Sequence, residues 1–145
     1  MQENKKYKQY ADTYQQVVDF FTGVSNVQVQ SDEKLGTNFL HSKIILIDDR
    51  YAIQTSNLTQ SAFKNREYFV FGDDPVIRES LHTIFLQDRE GKPIDPAMIH
   101  PNLLVCPINC REVLESMIAQ AQDSIVIQTQ YIVDDRILDL LKKQS

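Results

Sequence analysis

His41 and Lys43 stand two residues apart in the run His41-Ser42-Lys43-Ile44-Ile45-Leu46-Ile47-Asp48. On a strand, residues i and i+2 project from the same face, so this arrangement predicts an imidazole and an ammonium directed into one site. A neutral imidazole attacks phosphorus, and a neighbouring ammonium neutralises the charge that builds on the non-bridging oxygens in the transition state. Asp48 lies seven positions from His41, on the opposite face of an unbroken strand, which gives it an orienting or structural role. A turn-capping Asp ahead of Asp49-Arg50 is the equal alternative. Downstream, Thr55, Ser56 and Asn57 offer hydroxyl and amide groups that hydrogen-bond a phosphate or hold catalytic side chains. Glu67 is the acid expected to accept the second N–H of a histidine, which fixes the tautomer and leaves the other nitrogen nucleophilic. Each residue also has a plainer reading: a strand histidine half buried at a sheet edge, a solvated lysine, a turn asparagine, and a surface glutamate beside Arg66.

The elements that must hold these groups are legible from periodicity. Tyr7, Tyr10, Tyr14, Val17, Val18 and Phe21 recur at helical spacing and predict a helix over residues 4–21, ending near Gly23, with the tyrosines as core packing. Residues 26–30 form a short strand candidate, and residues 31–38 a polar loop. Phe39 to Asp48 reads as a buried central strand and Tyr51 to Thr55 as a second strand tightly connected to it. Tyr68 to Phe71 is a third, closed by Gly72. Asp73-Asp74-Pro75 starts a helix with the apolar stripe Val76, Ile77, Leu81, Ile84 and Phe85, which should finish before Gly91. Residues 91–102, with Pro93, Pro96 and Pro101, form an extended connector. The pattern then restarts: a strand over Leu103 to Cys106, a helix begun by a capping box of Asn109 and Glu112, a strand over Ser124 to Gln130, and a last helix capped by Asp134 that reaches Ser145 without a stop signal, as in a piece of a longer chain. Strands alternating with helices predict an α/β fold, a mixed sheet flanked by helices.

A chain of 145 residues with 42% hydrophobic content supports one compact core. The net charge of −5 excludes a global positive field for nucleic acid or anionic lipid and leaves room for a local phosphate site. Cys106 and Cys110 have no companion pair and His82 and His100 complete no ligand set, so buried free thiols are expected rather than a zinc site. No signal peptide is visible in the polar segment Met1 to Tyr10, and no apolar stretch approaches the roughly 20 residues of a membrane span, so any membrane contact is expected to be peripheral.

The motif resembles that of the phospholipase D superfamily, H-x-K-x(4)-D followed by G-[ST]-x-N and a later Glu. His41, Lys43 and Asp48 match in full. Thr55 and Asn57 match the hydroxyl and amide positions with Gln54 where the family prefers Gly, and Asn65 and Glu67 resemble the Asn-x-Glu segment that follows. The resemblance implies a phospholipase D-like fold built of two similar repeats, with residues 1–99 as the later part of a first repeat and residues 100–145 as the opening of a second. It implies a metal-independent and cofactor-free phosphodiesterase or phosphatidyltransferase working through a phosphohistidine, with catalytic His41, Lys43, Asp48 and Glu67 and substrate-binding Thr55 and Asn57. The second H-x-K half-site would come from elsewhere in a parent chain or from a dimer mate, because His82 and His100 are not followed by one. Lipid headgroup phosphodiesters are the favoured substrate. A nuclease of the same type, or a non-catalytic phosphate-binding or scaffold repeat, is the alternative.

Overall fold

The computed structural model of the chain describes residues 3–30 and 40–144. The described residues form a mixed α/β arrangement with a three-stranded antiparallel sheet and four α-helices. Its described residues fall into two compact units. The first comprises the residues up to Ser42 together with Leu86–Pro93, and the second Lys43–Phe85 with Ile94 onwards.

In the first unit, helix α1 spans Glu3–Phe20 and ends near Gly23, which takes a left-handed φ of 85°. The apolar stripe correctly marks the helix, but Tyr14 and Val17 of the stripe remain exposed, so the expected core packing fails at Tyr14, and the side chains of Tyr7 and Tyr10 lie outside the described residues. Residues 26–30 form no strand. Their side chains instead serve Arg89, which donates to Gln28 Oε1 at 2.7 Å, while Gln30 donates to the Arg89 carbonyl at 2.8 Å. The predicted loop 31–38 lies outside the described residues.

In the second unit, β1 (Ile44–Ile47) and β2 (Arg50–Gln54) make a hairpin in register Ile44 to Ile53 through Ile47 to Arg50, and β3 (Phe69–Gly72) pairs antiparallel on the other side of β2. The two-residue turn Asp48-Asp49 requires a left-handed first residue, and Asp48 adopts a φ of 51°, a conformation Asp tolerates better than most residues. The strand expected over residues 39–48 is therefore shorter, and it is an edge strand; β2 is central. All pairings in this sheet are antiparallel, where a mixed sheet was expected.

Helix α2 (Pro75–Glu90) begins as predicted, with the Asp74 carboxylate accepting from the N–H of Val76 at 2.8 Å and of Ile77 at 3.2 Å. It ends in a Schellman arrangement at Gly91, whose φ is 64°: Gly91 N–H reaches the Asp88 carbonyl and Lys92 N–H the Gln87 carbonyl. Leu81 and Ile84 from this helix pack with Tyr51, Ile99 and Leu103, with Ile44, Leu46 and Ile53 around them. This one-sided burial follows from strand alternation: residues 44, 46, 51 and 53 share a face. The connector carries only a short 3-10 turn, Pro96–Met98, capped by Asp95.

Residues 103–106 are not a strand, because their backbone groups are taken locally. Asn109 accepts from Val105 N–H at 2.7 Å and donates to the Leu103 carbonyl at 3.0 Å. That use of Asn109 also overturns the expected capping box at α3 (Cys110–Ala119), where its side chain makes no cap hydrogen bond. Cys106 and Cys110 are bonded to each other, their Cα atoms 5.0 Å apart, and neither is buried. The tight turn in which Ile108 and Asn109 both donate to the Val105 carbonyl folds position 106 back onto the helix start, so the expectation of buried free thiols is corrected. Residues 124–130 join no sheet among the described residues, and α4 (Asp135–Gln144) starts at Asp134 as predicted, with Asp134 accepting from Ile137 N–H at 3.1 Å.

Candidate functional site

β1 begins at Ile44, so His41 and Ser42 precede the regular strand and are exposed. The division between the compact units falls inside the motif, with His41 in the first and Lys43 in the second. Lys43 is still held by the ladder: its carbonyl accepts from Gln54 N–H at 3.0 Å, which continues the β1–β2 register one pair past Ile44 to Ile53 and sets Lys43 opposite Gln54. Directly opposed residues of an antiparallel pair share a face. Lys43, Ile45 and Ile47 thus lie with Ala52, Gln54, Phe69 and Phe71 on the side of the sheet turned away from α2. The rings of Phe69 and Phe71 stack with centroids 6.2 Å apart and remain open to solvent.

Thr55 and Glu67 are brought together. Past the end of β2, Thr55 N–H donates to the Tyr68 carbonyl at 3.1 Å, Tyr68 N–H donates to Thr55 Oγ1 at 3.1 Å, and Thr55 Oγ1 donates to Glu67 Oε2 at 2.5 Å. Thr55 is thereby locked to Tyr68 by two hydrogen bonds and to Glu67 by a third, charge-assisted and short. The Glu67 carboxylate, expected to orient an imidazole, has one oxygen on Thr55. Asn57 is exposed, and its carbonyl accepts from Thr59 N–H at the start of the turn leading to Ala62–Lys64. Asp48 occupies the hairpin turn, and its carbonyl accepts from Arg78 Nε at 2.6 Å. The turn accounts for an Asp at this position by conformation alone.

Two side chains beside this cluster were not read as site residues from sequence. Tyr68 donates its hydroxyl to Gln128 Oε1 at 3.0 Å. Gln54, noted only as the departure from Gly, is 8% exposed, and its Oε1 is buried without a hydrogen-bond partner. A buried acceptor left in that state costs about 1–3 kcal/mol. Alternation of residues 50, 52 and 54 was the available signal, but it becomes informative only once the register puts Gln54 across from Lys43. Among the described residues no cluster of three or more His, Cys, Asp or Glu is placed to hold a metal ion. An open cleft of about 380 Å³, lined by residues of the 121–127 segment with Leu141 and Gln144, shares no residue with the candidate site. Among the described residues no helix is long and apolar enough to cross a membrane.

No protein-family model, no curated protein and no solved structure matches this chain.

Proposed function

We propose that the chain carries one half-site of a phospholipase D-type phosphodiester hydrolase or phosphatidyltransferase, with a phospholipase D-like fold. His41 Nε2 or Nδ1 attacks phosphorus, the bond to the leaving oxygen breaks, and a phosphohistidine forms; a second histidine, from another half-site, protonates the leaving alkoxide. Water or an alcohol then takes the phosphoryl group and frees His41. Lys43 holds the phosphoryl oxygens, Thr55 and Asn57 bind substrate, and Glu67 orients the polar cluster. Asp48 shapes the turn that ends the motif strand.

The observation that carries this reading is the order His41, Lys43, Asp48, Thr55, Asn57, Glu67 along the chain, together with the hydrogen bonds that gather Thr55 and Glu67 at the end of β2 next to the strand pair bearing Lys43. The apolar surface of Ile47, Phe69 and Phe71 on the face of Lys43 supports a lipid phosphodiester, because acyl chains bind such a surface and the net charge of −5 disfavours broad contact with a polyanion.

The test is to incubate the full natural polypeptide with phosphorus-labelled phosphatidylethanolamine or with a labelled oligonucleotide, and to quench in alkali. Label on His41 from the lipid, absent in His41→Ala, is the expected result. Label from the oligonucleotide instead makes the protein a nuclease of the same mechanism. Equal turnover and labelling in wild type and His41→Ala would end the proposal.

A further inference from the structure

We propose that the loop over residues 58–66 is a membrane-contact element for anionic lipid, with Leu58 and Phe63 entering the headgroup–acyl boundary and Lys64 and Arg66 meeting lipid phosphates; the inference extends the lipid reading of the candidate site and rests on it for its purpose. The loop is closed at its base. The hydrogen bonds of Thr55 to Tyr68 and Glu67 make the chain leave and return at one point, so the residues between form a compact protrusion. Local bonds wind its interior: Ala62 N–H donates to the Thr59 carbonyl at 3.1 Å, Lys64 N–H to the Ser61 carbonyl at 3.1 Å and Asn65 N–H to the Ala62 carbonyl at 3.0 Å. In that turn Ala62 is buried, whereas Phe63 is 75% exposed, and Leu58 ahead of the turn is 67% exposed. The turn is pinned by its own hydrogen bonds and gains nothing from a phenyl ring in water, so the ring is available to an apolar phase outside the chain.

Charge selects the partner. No Asp or Glu occurs between Asp49 and Glu67, in a chain that carries 20 acids among 145 residues and a net charge of −5. Within this acid-free stretch Lys64 and Arg66 follow Phe63, both are exposed, and among the described residues neither enters an ion pair. Apolar side chains beside cations match the surface of an anionic bilayer, where acyl chains take the former and phosphates the latter. A nucleic acid fits less well, because Leu58 offers no stacking face to a base and two cations neutralise few phosphates. The negative remainder of the chain confines the attraction to the loop, within a Debye length of roughly 8 Å, so the contact is shallow and salt-sensitive. Because Asn57 and Glu67 bound the loop, its insertion brings the polar cluster at the end of β2 to the headgroup layer.

The chain contains no tryptophan, so Phe63→Trp supplies a single fluorescent reporter at the loop. It is titrated with vesicles of phosphatidylcholine alone and of phosphatidylcholine with phosphatidylglycerol in equal parts, and sedimentation with the same vesicles follows wild type, Phe63→Ser, Lys64→Gln/Arg66→Gln and His41→Ala, with a thermal melt for each protein. Expected are a blue shift with the anionic vesicles only, reversed by high salt, about tenfold weaker sedimentation in Phe63→Ser and about twentyfold weaker in the double charge variant, all at unchanged melting temperature. His41→Ala should sediment like wild type, so loss of its phosphohistidine reading and loss of the membrane contact are separate results. No shift with anionic vesicles, or sedimentation equal in wild type, Phe63→Ser and the double charge variant, would overturn the inference. A blue shift that grows with protein concentration in the absence of vesicles would overturn it in favour of a second copy of the chain, and an equal shift with a single-stranded oligonucleotide in favour of a nucleic-acid contact.

Discussion

The sheet with α2 and the α3–α4 pair are held by different forces. Around β2, Tyr51, Leu81, Ile84, Ile99 and Leu103 exclude water from one face of the sheet, and backbone ladders run on both sides of the central strand. Along α3, Ile118 is the buried side chain, and nearby Val126 and Val133 are 92% and 82% exposed. Ion pairs link α3 to the start of α4: Arg111 bonds Asp134 at 2.6 Å and Arg136 reaches Glu115 at 2.7 Å, while Arg111 also pairs with Glu115 within α3 at 3.2 Å. Gln144 adds one hydrogen bond to the Ala119 carbonyl at 2.9 Å. Apolar burial carries no charge to be screened or titrated, whereas exposed ion pairs are screened by salt and titrated by pH. The polar cluster of the candidate site sits at the end of the strand pair backed by apolar burial.

Truncating the core should have the largest effect on this contrast. Leu81→Ala removes a side chain only 4% exposed and should cost about 3 kcal/mol of stability, read as a lower urea midpoint at unchanged slope. A loss no larger than that of a surface substitution would mean that the α2 face does not carry the fold.

The second effect is steric. Gly72 pairs with Tyr51, and a Cβ at position 72 would run into the tip of that ring, which is packed in the core and cannot swing away. Gly72→Ala should cost about 1–3 kcal/mol, and the penalty should shrink when Tyr51→Leu is already present. Additivity of the two changes in a double-mutant cycle would contradict this close approach.

The smallest effect belongs to the charged pair of helices, and it carries a pH signature. The Arg111 hydrogen bond, helped by the N–H of Ile137, holds the Asp134 carboxyl well below its ordinary range, at about 2, and the same contact pushes Arg111 upward. A carboxylate with a depressed folded-state pKa binds fewer protons than in the unfolded chain, so its contribution is complete above the ordinary value of 3.8 and disappears as pH falls through about 2. Wild type should therefore lose stability across that window relative to Asp134→Asn, which keeps a side chain able to cap α4. Parallel melting curves of the two proteins from pH 5 to pH 2, to within about 1 °C, would show that the ion pair adds nothing.

Helices α1, α2 and α4 and all three strands of the sheet were readable because their signals are local: a stripe at helical spacing, Asp74-Pro75 at one start, Asp134 at another, and Gly91 at a stop. The failures share a cause. Residues 26–30, 103–106 and 124–130 have the composition of strands, yet a strand exists only where a partner accepts its ladder, and in the described residues that partner is lacking or replaced. Asn109 illustrates the replacement, satisfying the backbone at residues 103 and 105 and thereby giving up the helix cap that its spacing to Glu112 suggested. The disulfide is not legible in the sequence because Cys106 and Cys110 are brought together by a turn that hydrogen bonds, not periodicity, define.

For the candidate site, residue chemistry and order along the chain come from the sequence alone: an imidazole and an amine two apart, then hydroxyl, amide and acid. The face on which Lys43 lies, the closure of Thr55 onto Glu67 and the orphaned acceptor of Gln54 belong to the tertiary structure. The reason is physical. Covalent connectivity sets which groups are available, but strand register is a long-range choice, and in a sheet a shift of one residue would move every side chain to the other face.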